Sequence, residues 1–423
     1  MISLYIHIPF CARKCKYCSF FVMPEDDETL DHDAVEKMKE EYLHQLIVEL
    51  DTRKTKLTPE QQELRTIYIW WWTPFQLWPK RLHTLLDHIV ATRDVSFLEE
   101  LSIELNPDPF DEVIGFIRDT WKRYKNISRV RFSIGIQSFD DEILEKSGRQ
   151  YVYLNLINFL REIAEVKMHH MVYNLDFIAF GDLYRKQKNP EEKFLPWRTH
   201  QREFFEKVAK SQMFDGMSLY SLELFPWSER YYQAKDAAHQ MSVAHTESWD
   251  QTKWDEFSYI KKVLMDAGMQ RYEISNFSLS SKRSIHNHVY RDMWSYLGIG
   301  INASGMLAGE YAKTISDTPS KWLRYKNTTH WKKYLAGEFI DEESLQLLDE
   351  TERDIESCLL WLRTSRGIYI EKYRHVLVDN ADEIVAQMIK DKYASLTDNW
   401  RLVLTSKWMD VYNAVIMELM KEV

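Results

Sequence analysis

Glycine is scarce in this chain. It supplies 12 of the 423 residues, whereas an average protein contains about 7% glycine. Tryptophan, normally among the rarest residues, occurs 15 times. The 12 glycines and 15 tryptophans together make 27 residues, which is close to the ordinary share of glycine alone. Such a balance suggests that tryptophan stands at positions where a fold normally needs glycine.

Cysteine and positive charge are also in short supply. Four cysteines, three of them close together, do not make a disulfide framework and indicate a reducing compartment. The formal net charge of -10 and the lack of a basic tail argue against nucleic acid as the main partner. No apolar run approaches the length of a membrane span, and the N-terminus has neither a basic leader region nor a cleavage site. We therefore expect a soluble cytoplasmic protein.

Short apolar segments alternate with helical patterns through the first half of the chain. Segments 4–8, 66–69 and 101–105 are typical of buried strands, and amphipathic segments follow them. This alternation predicts βα units on a parallel sheet, either open or barrel-like. Functional side chains should then lie just beyond the carboxyl ends of the strands.

The alternation fades after about residue 235, which predicts a three-part organisation. We expect a first domain over 1–235, a mixed accessory region over 236–339 and a small C-terminal domain over 340–423. The last part combines amphipathic helices with a hairpin over 396–404. Helices followed by a hairpin predict a winged-helix-like module.

Three cysteines occur within eight residues, as Cys11, Cys15 and Cys18, directly after the first predicted strand. Thiolates spaced C-x3-C-x2-C bind a soft metal or an iron–sulfur cluster. A structural zinc site needs four ligands, and the nearest candidate for the fourth is His7. A three-cysteine cubane instead leaves one iron free for another ligand. The cluster is the favoured interpretation; zinc and a chance grouping are the alternatives.

The cysteine motif, with Tyr17 before its last cysteine, resembles the radical S-adenosylmethionine (radical SAM) superfamily. The resemblance implies a partial (β/α) barrel that holds a [4Fe-4S] cluster and S-adenosylmethionine, served by an electron donor. In that superfamily the protein contributes cluster ligation, cofactor orientation and exclusion of water.

The resemblance narrows to the oxygen-independent coproporphyrinogen III oxidase family. It spans nearly the whole chain and rests on a set of motifs in order: Tyr5-Ile-His-Ile-Pro-Phe-Cys11, Glu104-Leu-Asn-Pro107, Ser133-Ile-Gly-Ile-Gln-Ser-Phe-Asp140, Tyr272-Glu-Ile-Ser-Asn-Phe277, His286-Asn287 and Tyr296-Leu-Gly-Ile-Gly300.

Phe20 distinguishes two branches of that family. The true oxidases have a further cysteine where this chain has Phe20, so the chain resembles the heme-chaperone (HemW) branch. That branch binds heme and delivers it to acceptor proteins. The alternative is radical decarboxylation of coproporphyrinogen III in porphyrin biosynthesis.

The heme contact of the branch is associated with the motif H-N-x-x-Y-W. Here the matching residues are His286, Asn287 and Tyr290, and Arg291 replaces the final tryptophan. His288 adds a possible axial ligand, because neutral imidazole commonly ligates heme iron. A structural role for either histidine is the alternative.

The family resemblance also implies contacts to S-adenosylmethionine, and it assigns no catalytic residue. The implied cofactor-binding residues are Tyr5, Tyr17, Trp70, Trp71, Trp72, Thr73, Glu104, Gln137 and Asp176. Arg131, within a strand, is a weaker candidate. Cys358 lies on an apolar helix face and is expected to be a buried core thiol.

Trp70, Trp71 and Trp72 conflict with this assignment, because the family has Gly-Gly-Gly-Thr-Pro where the chain has Trp-Trp-Trp-Thr73-Pro74. Each tryptophan side chain carries roughly 150–250 Å² of surface. Three of them leave no room for a cofactor, so we expect this pocket to be blocked or distorted. A radical enzyme that has decayed is one explanation.

Further tryptophans stand where turns, caps or the family favour glycine, namely Trp78, Trp227, Trp361, Trp400 and Trp408. Trp400, for example, occupies a hairpin turn in which glycine is preferred. Loss of one pocket would not place tryptophan at remote turns. We therefore hypothesise that many of these codons are UGA, read as glycine by the organism and translated here as tryptophan. Trp322 and Trp331 do not stand at turns or caps where glycine is expected.

Overall fold

A computed structural model describes residues 1–11, 13–18, 20–24, 31–71, 78–181, 197–223, 243–316 and 321–421. The α-helices are α1 (His32–Thr55), α2 (Trp78–Thr92), α3 (Phe110–Arg123), α4 (Asp141–Ser147), α5 (Tyr153–Glu165), α6 (Thr199–Lys210), α7 (Val243–Asp266), α8 (Ile285–Arg291), α9 (Trp331–Leu335), α10 (Glu350–Leu362), α11 (Ile370–Tyr373), α12 (Ala381–Lys390) and α13 (Tyr412–Leu419). The strands are β1 (Ile2–Ile8), β2 (Phe10–Cys11), β3 (Met23–Pro24), β4 (Leu64–Trp71), β5 (Glu100–Leu105), β6 (Val130–Gln137), β7 (Met171–Ala179), β8 (Gly216–Ser221), β9 (Gln270–Glu273), β10 (Asn276–Ser278), β11 (Tyr296–Ile299), β12 (Ser304–Ala308), β13 (Trp322–Lys326), β14 (Gln346–Leu348), β15 (Ile368–Tyr369), β16 (Ala394–Leu396) and β17 (Arg401–Leu404).

A 12-stranded sheet organises most of the molecule, in the order β14-β13-β12-β11-β1-β4-β5-β6-β7-β8-β10-β9. Strands β11, β1 and β4 to β8 are parallel to their neighbours. The outer strands at both edges pair antiparallel. This mostly parallel sheet with connecting helices confirms the predicted α/β class and partial barrel.

The central strands are long and buried because both faces of the sheet are covered. All eight residues of β6 and all nine of β7 are buried. Apolar side chains of one face join the main hydrophobic core with the surrounding helices. Polar side chains such as Ser133, Asn174 and Asp176 alternate with them and face the interior of the partial barrel. The parallel strands therefore supply both a core and a polar lumen.

A second hydrophobic core lies in the C-terminal part and draws on α10, α12 and α13. These helices accompany a small sheet in the order β15-β17-β16. The predicted helices and hairpin are therefore confirmed. The division into domains at 235 and 339 stays a prediction, and β14, beyond the second boundary, pairs with β13 in the main sheet.

Buried ion pairs tie the C-terminal part to the main sheet. Arg271 on β9 donates to the Ser406 carbonyl oxygen at 2.5 Å and to Asp410 at 2.6 Å. Glu273 on the same strand pairs with Arg291 at 2.7 Å and with Arg363 at 3.3 Å. These contacts fix the end of α8 against the C-terminal core. Among the helices that the structure describes, none is long and apolar enough to cross a membrane.

Candidate functional site: a cysteine loop above a polar barrel lumen

The cysteine loop begins where β1 ends. Strand β2 pairs with β3 through Phe10 and Met23, which closes the segment between them into a loop. Within it the Cys18 amide donates to the Cys15 carbonyl oxygen at 2.9 Å. The Lys16 amide donates to Ser147 at the end of α4 at 3.2 Å. The backbone therefore holds the loop against the carboxyl end of the parallel strands, as the sequence predicted.

The three loop cysteines are in the thiol form, with Cys11 and Cys18 buried and Cys15 partly exposed. The Cys11 thiol lies 2.9 Å from the Arg13 carbonyl oxygen. Burial raises the pKa of Cys18 above its ordinary value. Among the described residues, no three His, Cys, Asp or Glu side chains converge on one metal ion. In a cubane cluster each cysteine binds a different iron, and three neighbouring thiols supply the donors that such a cluster needs.

His7 is not placed as a fourth ligand. Its Nε2 lies 3.3 Å from the Phe21 carbonyl oxygen, and its Nδ1 lies 3.2 Å from the Tyr5 hydroxyl. Burial lowers the pKa of His7 to about 3, so the ring is neutral. Both ring nitrogens are therefore engaged beside the loop, and the zinc alternative loses its nearest ligand.

Tyr17 is held by a residue that the sequence analysis missed. Arg149 is buried and donates to the Tyr17 hydroxyl through Nη2 at 2.8 Å and Nε at 3.2 Å. It also donates through Nη1 to Asn106, just after β5, at 2.6 Å. Arg149 thus joins the cysteine loop to the end of a central strand. Its only sequence signal is its place after Gly148, which ends α4 in the left-handed conformation.

Two buried carboxyl groups lie in the lumen below the loop. Glu104 accepts a short hydrogen bond from Tyr68. Burial and the nearby Asp176 raise the pKa of Glu104 to about 8. Asp176 accepts from Ser133 at 3.0 Å and from Asn174 at 2.8 Å, and burial raises its pKa to about 6. The lumen therefore contains two different carboxyl groups. Glu104 is protonated at neutral pH, and the pKa of Asp176 lies just below neutral pH.

Gln137 ends β6 with the unusual φ of 67°. Its side chain is 1% exposed, and neither its amide oxygen nor its amide nitrogen has a hydrogen-bond partner in the part of the chain that the structure describes. A buried amide without partners costs about 1–3 kcal/mol. Such a group, in the lumen beside the loop, is arranged to bind a polar ligand.

These observations fit S-adenosylmethionine, whose amino, carboxylate and hydroxyl groups need polar partners. Tyr5 lies on the adjacent strand β1, and its ring stacks on Tyr68 with centroids 6.2 Å apart. The predicted contacts Tyr5, Tyr17, Glu104, Gln137 and Asp176 therefore all occur at the loop end of one lumen. Arg131, the weaker candidate, is buried near the amino end of β6, close to His286, and does not lie at the loop end.

Trp70 occupies space next to the cysteine loop. Its ring stacks on His7 with centroids 4.3 Å apart and meets Phe20 edge-on at 5.1 Å. The side chain of Trp71, together with Trp72, Thr73 and Pro74, lies outside the described residues. Trp70 thus fills space where the family resemblance implies glycine, as expected for the sequence as written.

The other tryptophans that were expected at glycine positions differ in their backbone conformation. Trp400 has φ 60° in the hairpin turn, a left-handed conformation that favours glycine. Trp361 lies within α10 and Trp408 in a short 3-10 helix, where the backbone gives no reason for glycine. Trp227 and the side chain of Trp78 lie outside the described residues.

Helix α8 contains His286 and Asn287 and is called the HN helix below. It packs across the end of the lumen opposite the cysteine loop. The His286 ring is fully buried, with Nδ1 2.7 Å from the Thr66 hydroxyl and Nε2 2.8 Å from the Tyr290 hydroxyl. Burial and nearby Arg131 lower the pKa of His286 to about 3. The side chain of Asn287 caps no helix end among the described residues. Its backbone amide donates to the Ser284 hydroxyl. His286 and Tyr290 are therefore joined to each other, and neither offers a free group.

Residues 5–181 match the family model described as Radical SAM superfamily. The chain is similar over almost its whole length to proteins named heme chaperone HemW. It is 28% identical to that of Lactococcus lactis over 98% of this chain and 96% of the other. It is 25% identical to that of Escherichia coli over 96% of both. The family resemblance seen in the sequence is thereby confirmed.

A solved structure shares the fold. Coproporphyrinogen III oxidase (HemN) from Escherichia coli, described as a radical SAM enzyme, superimposes with a TM-score of 0.66 and 17% identity. The match covers 100% of this chain and 90% of the other. At this identity the likeness establishes the architecture alone.

Proposed function

We propose that this protein is a heme chaperone that carries a [4Fe-4S] cluster and S-adenosylmethionine and delivers heme to acceptor proteins. The observation that carries the proposal is the similarity to HemW proteins along 98% of the chain, cysteine motif and HN helix included. Its partners are heme, a heme-acceptor protein and an electron donor for the cluster. The reduced cysteines of the loop suit a reducing compartment, and we place the protein in the cytoplasm.

The cluster would be held by Cys11, Cys15 and Cys18. Arg149 positions the loop through Tyr17 and supplies a buried positive charge beside the thiolates. When bound, such a cluster can supply one electron to a sulfonium cofactor. The residues around it exclude water and fix the ligand.

S-adenosylmethionine would be bound by the polar groups of the lumen. The amide of Gln137 has donor and acceptor atoms to offer, and Asp176 is held in place by Ser133 and Asn174. Glu104 retains its proton at neutral pH while no cation lies beside it, because its pKa is raised to about 8. A positively charged amino group would favour its ionised form.

The second candidate is an oxygen-independent coproporphyrinogen III oxidase. The motifs shared with that family keep this candidate open, and Phe20 in place of a further cysteine disfavours it. If Trp70, Trp71 and Trp72 are genuine, a third candidate is a decayed radical SAM protein that keeps the fold and has lost the cofactor.

The test uses full-length protein with the cluster reconstituted under anaerobic conditions, in the sequence as written and with glycine at 70–72. We expect one heme per chain in a Soret titration, and transfer of that heme to an apo-globin added as acceptor. Decarboxylation of coproporphyrinogen III would instead establish the oxidase. Absence of heme binding in both proteins would refute the chaperone function.

A further inference from the structure

Arg131 is an enclosed cation that faces the lumen. It lies on β6, and its neighbours Val130 and Phe132 belong to the main hydrophobic core on the other face of the sheet. Because successive side chains of a strand point to opposite faces, Arg131 points into the lumen, as Ser133 does two residues further on. Its side chain is 3% exposed. A guanidinium does not lose its proton in a protein, so a full positive charge is buried here.

No described residue pairs with this charge. Arg131 makes neither a hydrogen bond nor an ion pair within the part of the chain that the structure describes. Its partners across the sheet are Ser102 on β5 and Val172 on β7. Valine has no polar side-chain group, and the Ser102 hydroxyl donates to Glu100 at 2.9 Å. Buried charges in proteins are normally paired, so Arg131 lacks the partner that its burial requires.

The acids of the lumen are engaged with other groups. Glu100 accepts from two backbone amides at the start of the HN helix, at 3.0 and 3.1 Å, and lies 3.6 Å from Arg129. Glu104 is neutral at pH 7, because burial raises its pKa to about 8. Asp176 accepts from two lumen side chains at 2.8 and 3.0 Å. Glu100 and Asp176 therefore act on Arg131 only from beyond the distance of an ion pair.

Solvent reaches the lumen on the loop side of Arg131. Tyr5 and Tyr68 lie in the middle of β1 and β4, and both are partly exposed although helices cover the outer face of the sheet. Tyr220, at the end of β8, is 45% exposed. These three side chains face the lumen, since the residues on either side of each belong to the core or to the opposite face. Their exposure is therefore to the lumen, which has tyrosine rings on its wall.

A second lumen side chain also lacks a partner. Ser278 on β10 lies opposite Gly216 and is 2% exposed. Its hydroxyl is buried and makes no hydrogen bond to any described residue. The lumen thus contains an unpaired hydroxyl on β10 as well as the unpaired guanidinium on β6.

We propose that Arg131 forms the floor of an anion site in the lumen and pairs with the carboxylate of a small organic ligand. The planar guanidinium matches a carboxylate in a bidentate pair. The inference goes beyond heme delivery and needs neither the cluster nor heme. The site is also separate from the loop-end contacts expected for S-adenosylmethionine: six residue steps of about 3.3 Å put roughly 20 Å along β6 between Arg131 and Gln137.

Anion titrations test the ligand class. Full-length protein with the cluster reconstituted is titrated calorimetrically with acetate, benzoate, phosphate and chloride. We expect saturable binding of the two carboxylates, tighter for benzoate because its ring contacts the tyrosines. Arg131→Met should weaken this binding about tenfold or more. Arg131→Lys should weaken it less, because lysine keeps the charge and loses the planar fork. Equal binding in wild type and Arg131→Met would overturn the proposal, as would phosphate binding as tight as that of benzoate.

A cofactor control separates this site from the loop end. Benzoate binding should persist when S-adenosylmethionine is bound, and Arg131→Met should bind the cofactor as the wild type does. Loss of cofactor binding in Arg131→Met would assign Arg131 to S-adenosylmethionine and overturn the separate site.

Unfolding in a buffer free of carboxylates tests whether the charge is unpaired. Arg131→Met should leave the free energy of unfolding unchanged or raise it, because the substitution removes an enclosed charge. The matched control is Arg53→Met. Arg53 is also buried but pairs with Glu49 at 3.1 Å, so its loss should lower the free energy of unfolding. A loss in Arg131→Met as large as that in Arg53→Met would show that the fold itself uses the charge, and the anion site would be rejected.

Discussion

The imidazole of His286 stacks on the ring of Tyr68, with centroids 4.9 Å apart and planes 29° from parallel. The hydroxyl of the same tyrosine donates to Glu104 near the cysteine loop. Tyr68 therefore joins the HN helix to the acid at the other end of the lumen. One side chain therefore contacts both the HN helix and the buried acid.

Glu104 should make the stability of the protein depend on pH. The folded state favours the neutral carboxyl, so its stabilisation is complete below the ordinary pKa of 4.5 and is lost as the pH rises through about 8. The free energy of unfolding should fall by up to about 1.4 kcal/mol per pH unit over that window. Glu104→Gln should flatten the profile in denaturant titrations, most clearly between about pH 6 and 8, above the pKa of Asp176. Equal slopes for the two proteins would contradict the assignment.

Arg149 should control the order of the cysteine loop. Arg149→Ala leaves the Tyr17 hydroxyl and Asn106 without their buried partner, which costs about 1–3 kcal/mol of unfolding free energy. Iron incorporation during reconstitution should fall in parallel. Tyr17→Phe removes only the hydroxyl, and the double variant should be less than additive. Strictly additive effects would show that the two side chains act independently.

Cysteine substitutions should distinguish the cluster ligands from the thiol in the C-terminal core. Cys11→Ala, Cys15→Ala and Cys18→Ala should each abolish or strongly reduce bound iron and the absorbance of the reconstituted cluster. Cys358→Ala should retain both, because Cys358 is buried in the C-terminal core. That control should instead lower the unfolding free energy by about 1 kcal/mol, from loss of packing. Normal iron content in any loop variant would remove that cysteine from the ligand set.

Trp400 should be better replaced by glycine. Its φ of 60° costs a side chain about 1–2 kcal/mol, and 74% of its surface is exposed, so little packing compensates. We expect Trp400→Gly to raise the unfolding free energy by about 1 kcal/mol. Trp322→Gly, on a β-strand with Arg353 5.0 Å over its ring, should lower it. A destabilised Trp400→Gly protein would argue for a native tryptophan.

The coding DNA provides a direct test of the reassigned-codon hypothesis. UGA is expected at 70–72 and at 400, and UGG at 322 and 331. Mass spectrometry of the protein isolated from its own organism should then find glycine at the UGA positions. UGG codons at 70–72 would reject the hypothesis and favour a decayed cofactor pocket.

The strands of the parallel sheet and the cysteine loop were predictable because their sequence signals are local. Buried strands follow from apolar runs, and C-x3-C-x2-C fixes its donors within eight residues. Arg149 was not predictable, because its role depends on contacts with Tyr17 and Asn106 that lie far away in sequence. The difference in burial between His286 and His288 was equally unpredictable from the sequence. Two residues apart on one short helix, they differ in burial only because α8 packs against the sheet.

Glu100 gives the HN helix its fixed position. Its carboxylate, buried within β5, accepts from the backbone amides of Ile285 at 3.0 Å and His286 at 3.1 Å. The HN helix is therefore held at this end of the barrel by a residue of the sheet. Any movement of this helix away from the barrel would have to break both hydrogen bonds to Glu100 together.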